Sequence, residues 1–228
     1  MTIQTARRRQ IEAAFVAHYQ AAPAVWVRAP GRVDLMGSHT DYNRGHVLTM
    51  PIGRDTWIAA RPRPDRVVRI RSLDVEGDGC FELEAIDHDA ESPWTDYVRG
   101  VAAVLQAAGY ALAGFDGLVH STVPLSSGLS SSAALECAVA VLFQSMGGWQ
   151  IDPVRLALLC QRAENEFVGM NCGVLDQYTS ILGQGRCALL LDCRDLTSRP
   201  VTLPGDLRVV ICDTRARRKL TGSEYGER

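Results

Sequence analysis

The sequence predicts an α+β domain. Three observations carry that reading: strand-like alternation in the first third, apolar helices through the middle, and short apolar runs near the end. The 228 residues are 46% hydrophobic, enough to fill a sizeable core without disulfide staples.

The elements follow in chain order. Thr5 to Tyr19 sets Ile11, Ala14, Phe15 and His18 or Tyr19 on one side of a helix. Val25 to Arg28 is a short strand leading into a polar loop. Val47 to Met50 and Thr56 to Ala60, apolar or β-branched, read as two further strands. Val67 to Leu73 alternates Val68 and Ile70 with Arg69 and Arg71, the mark of a half-buried strand, and Cys80 to Leu83 is another. Trp94 to Ala108 carries Tyr97, Val98, Val101, Val104 and Leu105 at helical spacing, with Gly109 as its stop. Gly117 to Val123 is a strand and Ser130 to Ser145 an apolar helix. Asp152 and Pro153 open the next helix with an N-cap and a first-turn proline. Cys187 to Leu191, Pro200 to Leu203 and Leu207 to Cys212 read as strands. No repeat, low-complexity run or flexible linker interrupts the chain.

Charge excludes some partners. Lysine and arginine number 24 against 26 acidic residues, a net −2, which gives no reason to expect nucleic acid or an anionic membrane. No apolar run is long enough for a membrane helix, and the polar start with Arg7, Arg8 and Arg9 lacks a signal-peptide core. The seven cysteines include no C-x-x-C pair, so neither a disulfide framework nor a zinc site is indicated. Reduced thiols in a cytoplasmic protein are the expectation.

Three segments carry chemistry. The first runs Arg28-Ala29-Pro30-Gly31-Arg32-Val33-Asp34-Leu35-Met36-Gly37-Ser38-His39-Thr40-Asp41-Tyr42-Asn43. Its polar density reads as a loop that holds a small polar ligand. The second, Pro124-Leu125-Ser126-Ser127-Gly128-Leu129-Ser130-Ser131-Ser132-Ala133-Ala134, leads from a strand into a helix. Unpaired N–H groups at a helix start, flanked by small residues, suit a phosphate, although an ordinary serine-capped helix would look the same. It is not a Walker A loop, because no G-x-x-x-x-G-K-[ST] occurs. The third contains Glu164, at the edge of a helical apolar stripe, and Asp176, at a helix start. By position Glu164 is either solvated or held by a partner, and Asp176 could simply favour the helix dipole.

The first segment closely resembles the signature of galactokinases, in the GHMP group of small-molecule kinases. The second resembles the second GHMP motif nearly residue for residue. Glu164 to Gln177 and Gly222-Ser223-Glu224-Tyr225 are also similar to galactokinases. The resemblance implies a GHMP kinase N-terminal domain (ribosomal protein S5 domain 2-like) over residues 1–213, with 214–228 starting a C-terminal half. It implies transfer of phosphate from ATP to the anomeric hydroxyl of a galactose-like sugar. Ser126, Ser127, Gly128, Leu129, Ser130, Ser131 and Ser132 would wrap the ATP phosphates. Ser132 and Glu164 would hold Mg²⁺, which prefers one or two carboxylates plus phosphates and water. Asp176 would be the catalytic base, and Arg32 would set a positive charge beside it and beside the transferring group. Ser38, His39, Thr40, Asp41 and Tyr225 would meet the sugar. The implied partners are a sugar and ATP, with no nucleic acid or membrane, and a monomeric state for the complete protein.

Two departures qualify the resemblance. Ser38 stands where galactokinases carry a glutamate that resembles a clamp on the sugar's C6 hydroxyl. A neutral, shorter residue opens the expectation of galacturonate or L-arabinose as substrate. A sugar and ATP sensor without catalysis is the other alternative. The chain also ends before a third glycine-rich motif, so it reads as a truncated form.

Overall fold

The computed structural model describes residues 3–212. Their elements are α1 (Ile3–Tyr19), β1 (Val25–Met36), β2 (His46–Pro62), β3 (Val67–Ser72), β4 (Gly79–Glu82), α2 (Asp96–Ala107), β5 (Phe115–Ser121), α3 (Ser131–Gly147), α4 (Pro153–Arg162), α5 (Leu175–Leu182), β6 (Cys187–Asp192) and β7 (Thr197–Thr202). A 3₁₀ turn, Pro93–Thr95, leads into α2, and a π-helical turn, Ala163–Val168, follows α4.

The strands form one seven-stranded sheet in the order β4-β3-β5-β2-β6-β7, with β1 also on β2. All pairings are antiparallel except β3 with β5. β2 is the spine. One edge carries β1 from Leu48 to Ala60, while the other carries β6 at His46–Thr49 and β5 at Thr56–Pro62.

Two expectations are corrected by this strand pair. The polar signature does not begin as a loop: Arg28 to Met36 is the second part of β1. Its backbone pairs with β2, while bulges between Pro30 and Arg32 and between Asp34 and Met36 re-aim the side chains. Pro30 has no N–H to offer a ladder, which accounts for the break there. The two strands expected around Val47 and Thr56 are one element of 17 residues. Residues 52–54 fall in the bulge between the Arg32–Pro51 and Pro30–Asp55 pairs, and β1 spans it.

The helices α2, α3 and α4 cover one face. Val98, Val101 and Leu105 of α2 meet Leu142 and Phe143 of α3 over Ile58, Ile70 and Phe115 of the sheet. α1 covers the other face with Ile11 and Phe15 on Ala59 and Leu118. Arg7 ties that helix down: it contacts Asp55 and donates to His120 Nδ1 at 2.8 Å.

Local signals explain the ends. Asp152 accepts from Arg155 N at 3.1 Å and Pro153 starts α4. Gly109 follows α2 with φ of 91°, a left-handed position that favours glycine. Leu207 to Cys212 is not a strand. Its backbone has no strand partner among the described residues, and Val210 is 79% exposed.

Candidate functional site

Three elements meet at Asp176: the bulged half of β1, the loop between β5 and α3, and the first turn of α5. Gly31 permits the first approach. A Cβ there would stand 2.6 Å from the carbonyl oxygen of Leu129, and the next residue, Arg32, donates its backbone N–H to that oxygen at 3.1 Å. The Arg32 side chain then spans both partners. Nη1 donates to the Gly128 carbonyl at 2.6 Å, and Nε donates to Asp176 Oδ1 at 2.7 Å, with Nη2 on the same oxygen. The other oxygen of Asp176 accepts from Ser130 Oγ at 2.6 Å. The carboxylate is therefore held on both sides, at the end of α5 where the helix dipole favours negative charge.

Ser130 bears a conformational cost for this. It precedes α3 with φ of 61° and makes no side-chain cap bond to the helix. A left-handed non-glycine residue costs about 1–2 kcal/mol. Its hydroxyl reaches Asp176 instead. Ser126 and Gly128 are also left-handed, at 54° and 75°, and turns of this kind let backbone N–H groups converge on an anion. Ser127 Oγ donates to the Pro124 carbonyl at 2.7 Å, which closes the turn. The Leu129 side chain is buried with Val123 and Ala134 and anchors the loop. Ser131 and Ser132 form the first turn of α3.

Glu164 lies on the π-helical turn, buried. Its Oε2 accepts from Gln177 Nε2 at 2.5 Å and from the Cys172 thiol at 3.4 Å. Burial, then the nearby Asp176 charge, pushes its carboxyl up to about 7; hydrogen bonds from Ser132, Cys172 and Gln177 hold it down. Among the described residues no group of three His, Cys, Asp or Glu could hold a metal by itself. One carboxylate beside one hydroxyl suits a hard cation that draws its other ligands from phosphate and water, as Mg²⁺ does.

The signature turn meets the chain at the start of α5. Asp41 Oδ2 accepts from Leu175 N at 3.4 Å. Burial raises the Asp41 carboxyl; the Leu175 N–H opposes this and the Asp176 charge adds to it. Thr40 Oγ1 lies 2.7 Å from the Gly37 carbonyl oxygen and 2.8 Å from that of His46, and its single proton is shared between them, so it pins the turn rather than facing a ligand. His39 Nδ1 lies 2.7 Å from Tyr42 Oη. Ser38 Oγ donates to Asp34 Oδ2. Tyr225 lies outside the described residues.

Arg32, Asp41, Ser130, Ser132, Glu164 and Asp176 are thus brought together, while Ser127, Leu129 and Thr40 shape the loops. Sequence reasoning missed Asp34, Glu136 and Gln177. Glu136 is the one acid between Ser131 and Gly147, and that was the available signal.

The fold and the loop before α3 define a class, the GHMP kinases: the description "GHMP kinases N terminal domain" matches residues 96–184. Within that class the chain is similar to the galactokinases, matching "Galactokinase galactose-binding signature" over residues 13–62. It is 48% identical to a galactokinase of Chloroflexus aggregans, over 96% of this chain and 56% of that protein. A galactokinase of Roseiflexus is 49% identical, over 94% of this chain and 54% of its own length. The chain therefore spans a little over half the length of these relatives. Lactococcus lactis galactokinase, solved with galactose, superposes with a TM-score of 0.87 at 33% identity, over 99% of this chain and 58% of that one. Mevalonate kinase of Methanococcus jannaschii shares the fold, with a TM-score of 0.63 at 17% identity, over 80% of this chain and 56% of its own. No helix among the described residues is long and apolar enough to cross a membrane.

Proposed function

We propose that this chain carries the sugar site and phosphate loop of a kinase that transfers the γ-phosphoryl group of ATP to the anomeric hydroxyl of galactose. The observation that carries the reading is the double grip on Asp176, by Arg32 on one oxygen and Ser130 on the other, directly against the phosphate loop.

Phosphoryl transfer needs in-line positioning and cancellation of negative charge more than covalent help. The backbone N–H groups at the start of α3 receive the phosphates. Asp176 takes the proton of the attacking hydroxyl, a contribution of about 10²–10⁴-fold. Arg32 faces Asp176 and the loop carbonyl at once, so its charge lies between base and phosphate and favours the transition state. Ser132 and Glu164 would hold Mg²⁺, which offsets charge on the phosphates when bound. Asp41, hydrogen-bonded to the backbone beside Asp176, is placed to orient sugar hydroxyls.

The choice of sugar turns on Ser38. Its hydroxyl is engaged by Asp34, so that end of the site keeps a carboxylate. A galacturonate carboxylate would approach a like charge there. A neutral sugar hydroxyl would not, and galactose is favoured over galacturonate.

Replacement of Asp176 by Asn tests the reaction. Turnover is expected to fall by about 10²–10⁴-fold while MgATP binding changes little. Unchanged turnover in the variant would remove Asp176 as the base, and absence of turnover in the wild type with sugar and MgATP binding kept would point to a sensor instead of an enzyme. Competition between galactose, galacturonate and L-arabinose tests the sugar, and preference for the uronate would reverse that assignment.

A further inference from the structure

Helix α3 is apolar almost throughout, yet Glu136 sits in its middle with no exposure at all. A buried carboxyl group is costly unless hydrogen-bonded, and no arginine or lysine among the described residues is recorded against it. Its partner is an amide: Gln177 Nε2 donates to Glu136 Oε2 at 2.9 Å. The same nitrogen donates to Glu164 Oε2 at 2.5 Å. An amide nitrogen has two hydrogens, so both are in use. The remaining oxygens, Glu136 Oε1 and Gln177 Oε1, are buried without a hydrogen-bond partner.

This pattern fixes the amide in one orientation. A flip would turn Gln177 Oε1 onto two carboxyl oxygens, where it could keep a bond only to one that carries a proton. Without the acceptor on Glu136, only the bond to Glu164 would orient the group. Gln177 is also the residue after Asp176, so the bridge joins α3, the Glu164 turn and the first turn of α5.

We propose that Glu136 is a positioning residue for phosphoryl transfer, orienting the Gln177 amide so that it holds Glu164 Oε2 at the cation site. This rests on the proposed role of Glu164 as cation ligand. Partners behind a metal ligand typically contribute about 10–100-fold in metal affinity.

The test measures Mn²⁺ binding in the presence of ATP, by water-proton relaxation, alongside thermal unfolding. Glu136→Gln keeps an acceptor for Gln177 and is expected to bind within about threefold of the wild type, whereas Glu136→Leu is expected to weaken binding by about 10–100-fold while remaining folded. Gln177→Met, which breaks the bridge from its other side, should lose affinity to the same extent and serves if Glu136→Leu does not fold. Leu142→Ala, a fully buried change elsewhere in α3, should lower the melting temperature and leave affinity unchanged. Two results would overturn the inference alone: wild-type affinity in Glu136→Leu when Glu164→Gln has lost it, or equal affinity loss in Leu142→Ala. Absence of Mn²⁺ binding beyond ATP alone in the wild type, or full binding in Glu164→Gln, would overturn the ligand role of Glu164 and this inference with it.

Discussion

Asp41 rests on Gly173 so closely that a Cβ on Gly173 would stand 1.8 Å from Asp41 Oδ2, and any other residue there must displace the carboxyl. The signature turn and the lead-in to α5 are therefore built against each other across a bare backbone. Gly173→Ala must push the Asp41 carboxyl away. The expected result is a rise of about tenfold or more in KM for the sugar, consistent with a displaced hydrogen bond or two, with KM for ATP little changed. Steady-state kinetics with each substrate varied would check it.

Arg32 makes contacts that lysine cannot copy. Its fork reaches the Gly128 carbonyl and Asp176 together, while an ammonium is a single point charge. Arg32→Lys should lower kcat by roughly 10²-fold, the scale of losing one charge-stabilising donor, and rapid-quench measurement of the chemical step would show it.

Ser130 separates stability from catalysis. Ser130→Gly removes the left-handed strain and Ser130→Ala keeps it, so glycine should be the more stable by about 1 kcal/mol in urea unfolding. Both lose the bond to Asp176 Oδ2, so both should show a similar fall in kcat. A glycine variant with full activity would remove Ser130 from the proposed machinery.

His120 gives the tether of α1 a pH dependence. Its Nδ1 accepts from Arg7 at 2.8 Å, which requires the neutral ring. Burial first, and the Arg7 charge as well, lower its pKa below 6.5, while Asp74 and Asp55 oppose this. The unfolded chain therefore takes up a proton first as pH falls, and stability present above about 6.5 is lost below it. The melting temperature should drop from pH 7 toward pH 5, and His120→Gln should flatten that part of the profile.

The legible parts of this chain were those with local causes. Asp152 with Pro153, Gly109, and the alternation of Val68 and Ile70 with arginines each act within a few residues, and each stands where the sequence placed it. β1 and β2 were misread because their continuity depends on pairing with each other across a bulge, not on their own composition. The strand expected at Leu207 to Cys212 is apolar and β-branched, but no described neighbour pairs with it. In the candidate site, Arg32, Glu164 and Asp176 were singled out through resemblance to known kinases. The placement of Arg32 beside Asp176 was expected from that resemblance alone, because 144 positions separate the two residues and neither neighbourhood signals the other. Glu136 and Gln177 lay beyond reach for the same reason: 41 positions separate an amide from its carboxyl partner, and neither neighbourhood hints at the other.

The two-sided strand β2 also sets the order in which this molecule can be assembled. β1 and β2 are joined by a short turn and can pair as soon as both have left the ribosome. The free edge of β2 must then wait, first for β5 at residues 115–121 and last for β6 at 187–192. Until synthesis passes that point, His46 to Thr49 exposes an unsatisfied strand edge of the kind that recruits other chains. The same strand that steadies the finished site is thus the segment most in need of protection while the protein is being made.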